Sequence, residues 1–289
     1  MAGATGLTTT TLHHRADELA AHLPPLLVNA ERVAATVAQG VHGRRRTGQG
    51  DSFWQFRPYQ WGDRVADIDW RRSARSDSLY VRETEWDAAE SVWLWRDGSG
   101  SMEYSSTPHH PEKSDRAALL LVALAALLVR GHERVALLGQ EQPPSSGRGT
   151  LLRLAAEPAT TLVRQSLPRH SALVLIGDFL SPMEDLSALI GAYASAGIRG
   201  HLLQVLDPAE EALPFAGRVL FKGLENDGQI LFGRCESVRA DYQKAMAQHR
   251  QQVRDLAASV GWTFALHHTD RAPETALLAL YLALAGTGK

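Results

Sequence analysis

Three short segments fix the fold class of this chain: Ser91–Arg96 (SVWLWR), Ala172–Gly177 (ALVLIG) and His201–Leu206 (HLLQVL). Each is nearly continuous in apolar residues, without the alternation of a half-exposed strand, and so reads as a strand covered on both faces. Helical patterns fill the intervals at Arg116–Val129, Leu151–Ala156, Thr161–Leu167 and Met183–Ala196. Two more follow at Glu236–Val260 and Pro273–Ala285, the last with proline at its first turn. Arg134–Gly139 and Trp262–His267 add two further strands, and Asn226-Asp227-Gly228 marks a tight turn between β-prone arms. This alternation predicts a Rossmann-like, doubly wound, mostly parallel α/β sheet with helices on both faces.

That α/β domain is expected over 91–289. Residues 1–39 form a helical lead-in, broken at Pro24-Pro25. Residues 40–90 form a small N-terminal strand-containing layer. Six of the seven tryptophans fall between Phe53 and Trp95, and most of these rings, Trp70 among them, are expected to pack that layer. At 44% apolar residues the chain can bury a core. A net charge of −2 argues against a nucleic-acid binder held by phosphate charge. The one cysteine, Cys235, excludes an internal disulfide framework and fits a reducing compartment. The longest apolar run, Ala117–Val129, falls short of the ~20 residues of a spanning helix. The expectation is a cytoplasmic protein with no membrane insertion.

Ligands of open α/β sheets bind beyond the carboxyl ends of the strands. Each of the three apolar strands delivers an aspartate there: Asp97, Asp178 and Asp207. After the first runs Asp97-Gly98-Ser99-Gly100-Ser101. One carboxylate and two hydroxyls form an oxygen-only set suited to Mg²⁺ or Mn²⁺, and Asp178 supplies a second carboxylate. The plainer account of the turn is a serine or aspartate cap on the next helix. Asp207 before Pro208 has the plain role of starting a turn. Asp63, Asp67 and Asp69 lie among Arg57, Arg64, Arg71, Arg72 and Arg75, and are expected to make ion pairs and turn hydrogen bonds. The pairs His13-His14, His109-His110 and His267-His268 are read as surface or cap residues. Neighbours on a strand face opposite ways and cannot easily share an ion.

Asp97-x-Ser99-x-Ser101 resembles the metal-ion-dependent adhesion site of von Willebrand factor A-type domains. That resemblance implies a later aspartate, which Asp178 matches, and a loop threonine. Thr150 is the best match, with Thr160 and Thr161 as alternatives. Upstream stand Phe56-Arg57-x-Tyr59-x-x-Gly62-Asp63, Ile68-Asp69-Trp70, Ser73-Ala74-Arg75 and Val81-Arg82, and downstream Val205-x-Asp207-Pro208. Together they resemble the DUF58 family, in its short branch without a transmembrane hairpin. Ser52 stands where the family often has Glu, Trp61 where it often has Pro, and Arg96 where an apolar residue is usual. An arginine at 96 either points out of the sheet or pairs with a carboxylate and weakens metal binding.

The resemblance implies a protein-interaction module, an adaptor or co-chaperone of a MoxR-type AAA+ ATPase. A partner's acidic side chain would complete the metal shell. Two other classes compete: a phosphatase-like metal-dependent hydrolase using Asp97 and Asp178, and a structural module whose metal site has decayed. No G-x-S-x-G elbow surrounds Ser99 or Ser101, so no catalytic residue is assigned and the chain is read as a non-enzyme.

Overall fold

The computed structural model of the chain describes residues 26–38, 53–59, 68–75, 78–84, 91–225 and 228–286. They divide into two compact units, 1–41 with 91–289, and 42–90.

In the smaller unit, β1 (Phe53–Pro58) pairs antiparallel with β2 (Tyr80–Thr84). Asp69 caps the short helix α2 (Trp70–Ser73) by accepting the Arg72 N–H at 2.9 Å. The Asp69 carboxylate is thus spent on a turn. Asp63 and Asp67 lie outside the described residues, as do the side chains of Trp54, Trp61 and Trp86. Trp70 corrects the sequence reading: it is 60% exposed, because it opens a four-residue helix whose one buried residue is Ser73.

The larger unit holds a five-stranded parallel sheet of β3 (Ser91–Arg96), β4 (Arg134–Leu137), β5 (Ala172–Gly177), β6 (Arg199–Leu206) and β9 (Thr263–His268). Their spatial order is β4-β3-β5-β6-β9. Alternation along β3 divides the core. Val92 and Leu94 face one layer, built from α1 (26–38), α3 (Lys113–Arg130), α4 (Arg148–Ala156) and α8 (Pro273–Gly286). Trp93 and Trp95 face the other, with α5 (Met183–Ser195) and α7 (Arg239–Ser259). Helix α1 places Val33, Ala34 and Val37 in the first layer, and so is part of this unit's core. The first lead-in helix would lie outside the described residues. α3 is apolar on every face because it is covered by the sheet on one side and by α4 and α8 on others.

Between β6 and α7 come the short helix α6 (Pro208–Ala212) and an antiparallel hairpin, β7 (Val219–Lys222) with β8 (Gln229–Phe232). Two sequence expectations fail here. Thr161–Leu167 is not a helix but an irregular segment between Pro158 and Pro168. Tertiary bonds replace its helical ones: Thr160 C=O accepts from Trp95 Nε1 at 3.1 Å, and Tyr193 Oη accepts the Gln165 N–H at 3.0 Å. His267 is buried, with Nε2 3.0 Å from Arg116 Nη1, whereas His268 faces the other way, 2.6 Å from Glu211.

Candidate functional site

Strand order reverses between β3 and β5, since β4 lies outside β3 on one side and β6 and β9 continue on the other. Such a switch point opens a crevice at the carboxyl edge. Asp97 and Asp178 follow the two strands that border it, and both are buried, at 8% and 2% exposure.

The turn after β3 fits this crevice through its glycines. A Cβ on Gly98 would lie 2.7 Å from the Ala159 carbonyl carbon, and one on Gly100 would lie 2.5 Å from the Leu224 oxygen. Close approach of backbone on both sides therefore requires glycine at these positions. At the end of β5, a Cβ on Gly177 would meet Asp97 Oδ2 at 2.8 Å, so this glycine makes room for the aspartate. Phe179, directly after Asp178, has φ +54 and is buried. A bulky residue in the left-handed region is strained. Its carbonyl lies 2.7 Å from His249 Nε2, and the turn lets Leu180 N–H donate to Asp178 Oδ1 at 3.2 Å.

The oxygens form a chain. Ser99 Oγ is 3.0 Å from Ser101 Oγ, and the Ser101 hydroxyl donates to Asp178 Oδ2 at 2.6 Å. Ser99 N–H donates to Asp97 Oδ1 at 2.9 Å. Burial pushes the Asp97 carboxyl above the ordinary aspartate range, and the Asp178 charge pushes the same way.

Two clefts flank the turn. One, of about 340 Å³, is lined by Ser99, Ser101, Asp178 and Glu210 together with Phe215 and Phe221. The other, of about 610 Å³, is lined by Asp97, Ser99, Thr161, Phe179 and Asp185 among others. Glu225, in the β7–β8 hairpin, lines both, with Oε1 3.4 Å from the Ser101 N–H.

Asp97, Ser99, Ser101 and Asp178 are thus brought together, and Thr150 is not. Thr150 lies in the first turn of α4, its hydroxyl 3.0 Å from Ser145 Oγ, and Ser145 pairs with Val135 of β4. Thr161 is the threonine that shares a cleft with Asp97 and Ser99. Arg96 also stays out: its Nη2 donates to the Glu157 carbonyl at 2.5 Å. Asp207 has the plain role. It accepts from Ala209 N–H at 2.8 Å and Ser106 N–H at 2.9 Å, and closes a capping box with Glu210. Burial alone would raise its pKa, but these hydrogen bonds hold it below the ordinary value.

The residue missed from sequence is Lys113, the first of α3. Its side chain is fully buried, with Nζ 2.9 Å from Asp178 Oδ2 and 2.5 Å from Glu210 Oε1. Burial would strip its charge, but the two carboxylates outweigh burial and raise its pKa. No sequence signal marked it, because the apolar run that announces α3 begins at Arg116 and Lys113 precedes it.

Among the described residues, no three His, Cys, Asp or Glu side chains cluster as a metal-binding group. The donor set is two carboxylates and two serine hydroxyls instead, and it suits a small hard cation. The 3.0 Å and 2.6 Å steps from Ser99 through Ser101 to Asp178 are ordinary hydroxyl hydrogen-bond lengths.

The family model described as "Protein of unknown function DUF58" matches residues 55–252. The chain belongs to the DUF58 family. Uncharacterized proteins of Mycobacterium bovis and Mycobacterium tuberculosis are each 28% identical to this DUF58 chain over 276 residues, covering 88% of it and 86% of theirs. Solved structures with a looser likeness include the conserved hypothetical protein BatB of Bacteroides thetaiotaomicron, 14% identical, TM-score 0.42. An aerotolerance-related membrane protein of Bacteroides fragilis is 16% identical, TM-score 0.40. An uncharacterized membrane spanning protein of Vibrio fischeri is 14% identical, TM-score 0.19. The alignments cover 68% of this chain and 100%, 100% and 98% of those chains, respectively.

The cytoplasmic expectation is withdrawn: two of these structures are described as a membrane protein and a membrane spanning protein, words that belong to those proteins. A lone buried cysteine and the lack of a long apolar run constrain redox chemistry and insertion, not compartment. Among the described residues, no helix is long and apolar enough to cross a membrane.

Proposed function

We propose that this DUF58 chain is a protein-docking module assisted by a divalent cation, Mg²⁺ or Mn²⁺. The ion would be held by Asp97, Ser99, Ser101 and Asp178, with Thr161 as the nearby threonine. A bound cation supplies an open coordination position that a partner's carboxylate can fill. The observation that carries the reading is the run of oxygens from Ser99 Oγ through Ser101 Oγ to Asp178 Oδ2, set between two strands at the switch point. The chain's own residues do the positioning. Gly98 and Gly100 let the turn sink between two backbones, and Ser99 N–H fixes the Asp97 carboxylate. Phe215 and Phe221 offer an apolar wall to residues flanking the partner's acid. By family resemblance the partner is a MoxR-type AAA+ ATPase, for which the chain acts as adaptor or co-chaperone.

One observation favours a second reading. Lys113 already places a positive charge on Asp178, as it would in a structural module that needs no metal. Affinity capture from native lysate separates the two. The docking reading expects an AAA+ ATPase retained in Mg²⁺ and lost in EDTA, and lost also with Asp97→Ala or Asp178→Ala. Equal retention of that ATPase in chelator, or by both variants, refutes it.

A further inference from the structure

Lys113 is bound on both sides, and its partners are unequal. Asp178 Oδ2 accepts from the Lys113 ammonium at 2.9 Å and from the Ser101 hydroxyl at 2.6 Å, while Oδ1 accepts the Leu180 N–H at 3.2 Å. Both Asp178 oxygens are therefore engaged before any cation arrives. Glu210 takes the same ammonium on Oε1 and the Asp207 N–H on Oε2 at 2.8 Å. Among the described residues Asp97 has no such counter-charge; the Ser99 N–H donates to it.

The charge count follows. Asp97, Asp178, Glu210 and Glu225, which lines both clefts, carry four negative charges and Lys113 one positive, leaving three; without the lysine, four would remain.

We infer that Lys113 is a built-in counter-charge that lowers the site's affinity for its divalent cation, making Asp178 a weak ligand and leaving Asp97 as the strong one. This rests on the docking reading above and explains how such a site can hold its ion loosely until a partner's carboxylate completes the shell. Lys113 is a positioning residue, acting through Asp178 and not on the cation itself. Through Glu210 it also ties the turn to α6, whose Ala209 and Glu210 line the apolar cleft.

The test is Mn²⁺ binding to the full chain, by calorimetric titration at fixed ionic strength. The variants are Lys113→Met, which removes the charge and keeps the stem, and Glu210→Gln, which commits the ammonium wholly to Asp178. Lys113→Met should bind at least about tenfold more tightly than wild type, and Glu210→Gln about three- to tenfold more weakly. A lysine that serves only to hold the fold would lower stability in both variants and move affinity in neither, or weaken it in both. Wild-type binding with Lys113→Met unchanged or weaker overturns this inference alone. No wild-type binding at millimolar Mn²⁺ overturns the docking reading and this inference with it. Where circular dichroism shows Lys113→Met unfolded, Glu210→Gln decides: weaker binding at an unchanged melting temperature supports the counter-charge, and unchanged or tighter binding, or weaker binding with lowered stability, refutes it.

Discussion

His201 and His267 are buried where a charge would be costly. Burial lowers each pKa to about 4, and Arg199 beside His201 and Arg116 beside His267 push the same way. Both are neutral in the fold, whereas an unfolded histidine gains its proton near pH 6.5. The unfolded state therefore binds more protons between about pH 6.5 and about 4. Stability from these two residues is present above pH 6.5 and is lost as pH falls towards 4, at about 3 kcal/mol each. Urea unfolding from pH 7.5 to 4.5 should show that slope, and His267→Gln should flatten it. A pH-independent midpoint would contradict the neutral assignment. Legibility at this scale divides by range. Asp97, Ser99, Ser101 and Asp178 could be read because each follows an unmistakable strand. Lys113 meets Asp178 across 65 positions and Ser101 meets Glu225 across 124, and no local pattern encodes such pairs. Thr150 went astray because a threonine before an apolar run reads equally as loop ligand or first-turn residue, and here it turns to Ser145.

Strong periodicity marks where elements begin and end. β3 and β5 match their sequence bounds, and α3 and α7 begin within three residues of theirs. Residues 161–167 failed because their partners are not local. Tyr193 on α5 reaches across to this segment, its hydroxyl donating to Val163 C=O at 3.3 Å while accepting the Gln165 N–H. A helix-period count cannot register bonds that a distant phenol makes. Tyr193→Phe should remove both bonds and cost about 0.5–1.5 kcal/mol, since Val163 is half exposed and water can reach the freed groups. Chemical denaturation measures this. A loss below the experimental error would mean that the segment holds itself in place.

The whole molecule follows from the order of five parallel strands. That order puts the two buried aspartates on either side of one crevice, and the hairpin beyond β6 brings Leu224 and Glu225 against the turn. The doubly wound sheet was legible because apolar strands and helices alternate plainly. The hairpin's reach to Gly100 was not, since it depends on how the 207–218 connection is routed after β6. The docking reading stands on a divalent ion held in this crevice by Asp97, Ser99, Ser101 and Asp178. Calorimetric titration of Mg²⁺ into the metal-free chain and its Asp97→Asn and Asp178→Asn variants decides whether it binds there. One saturable site is expected in the wild type, absent in Asp97→Asn and weakened in Asp178→Asn. No heat at millimolar Mg²⁺ in the wild type, or an isotherm unchanged by Asp97→Asn, would contradict it.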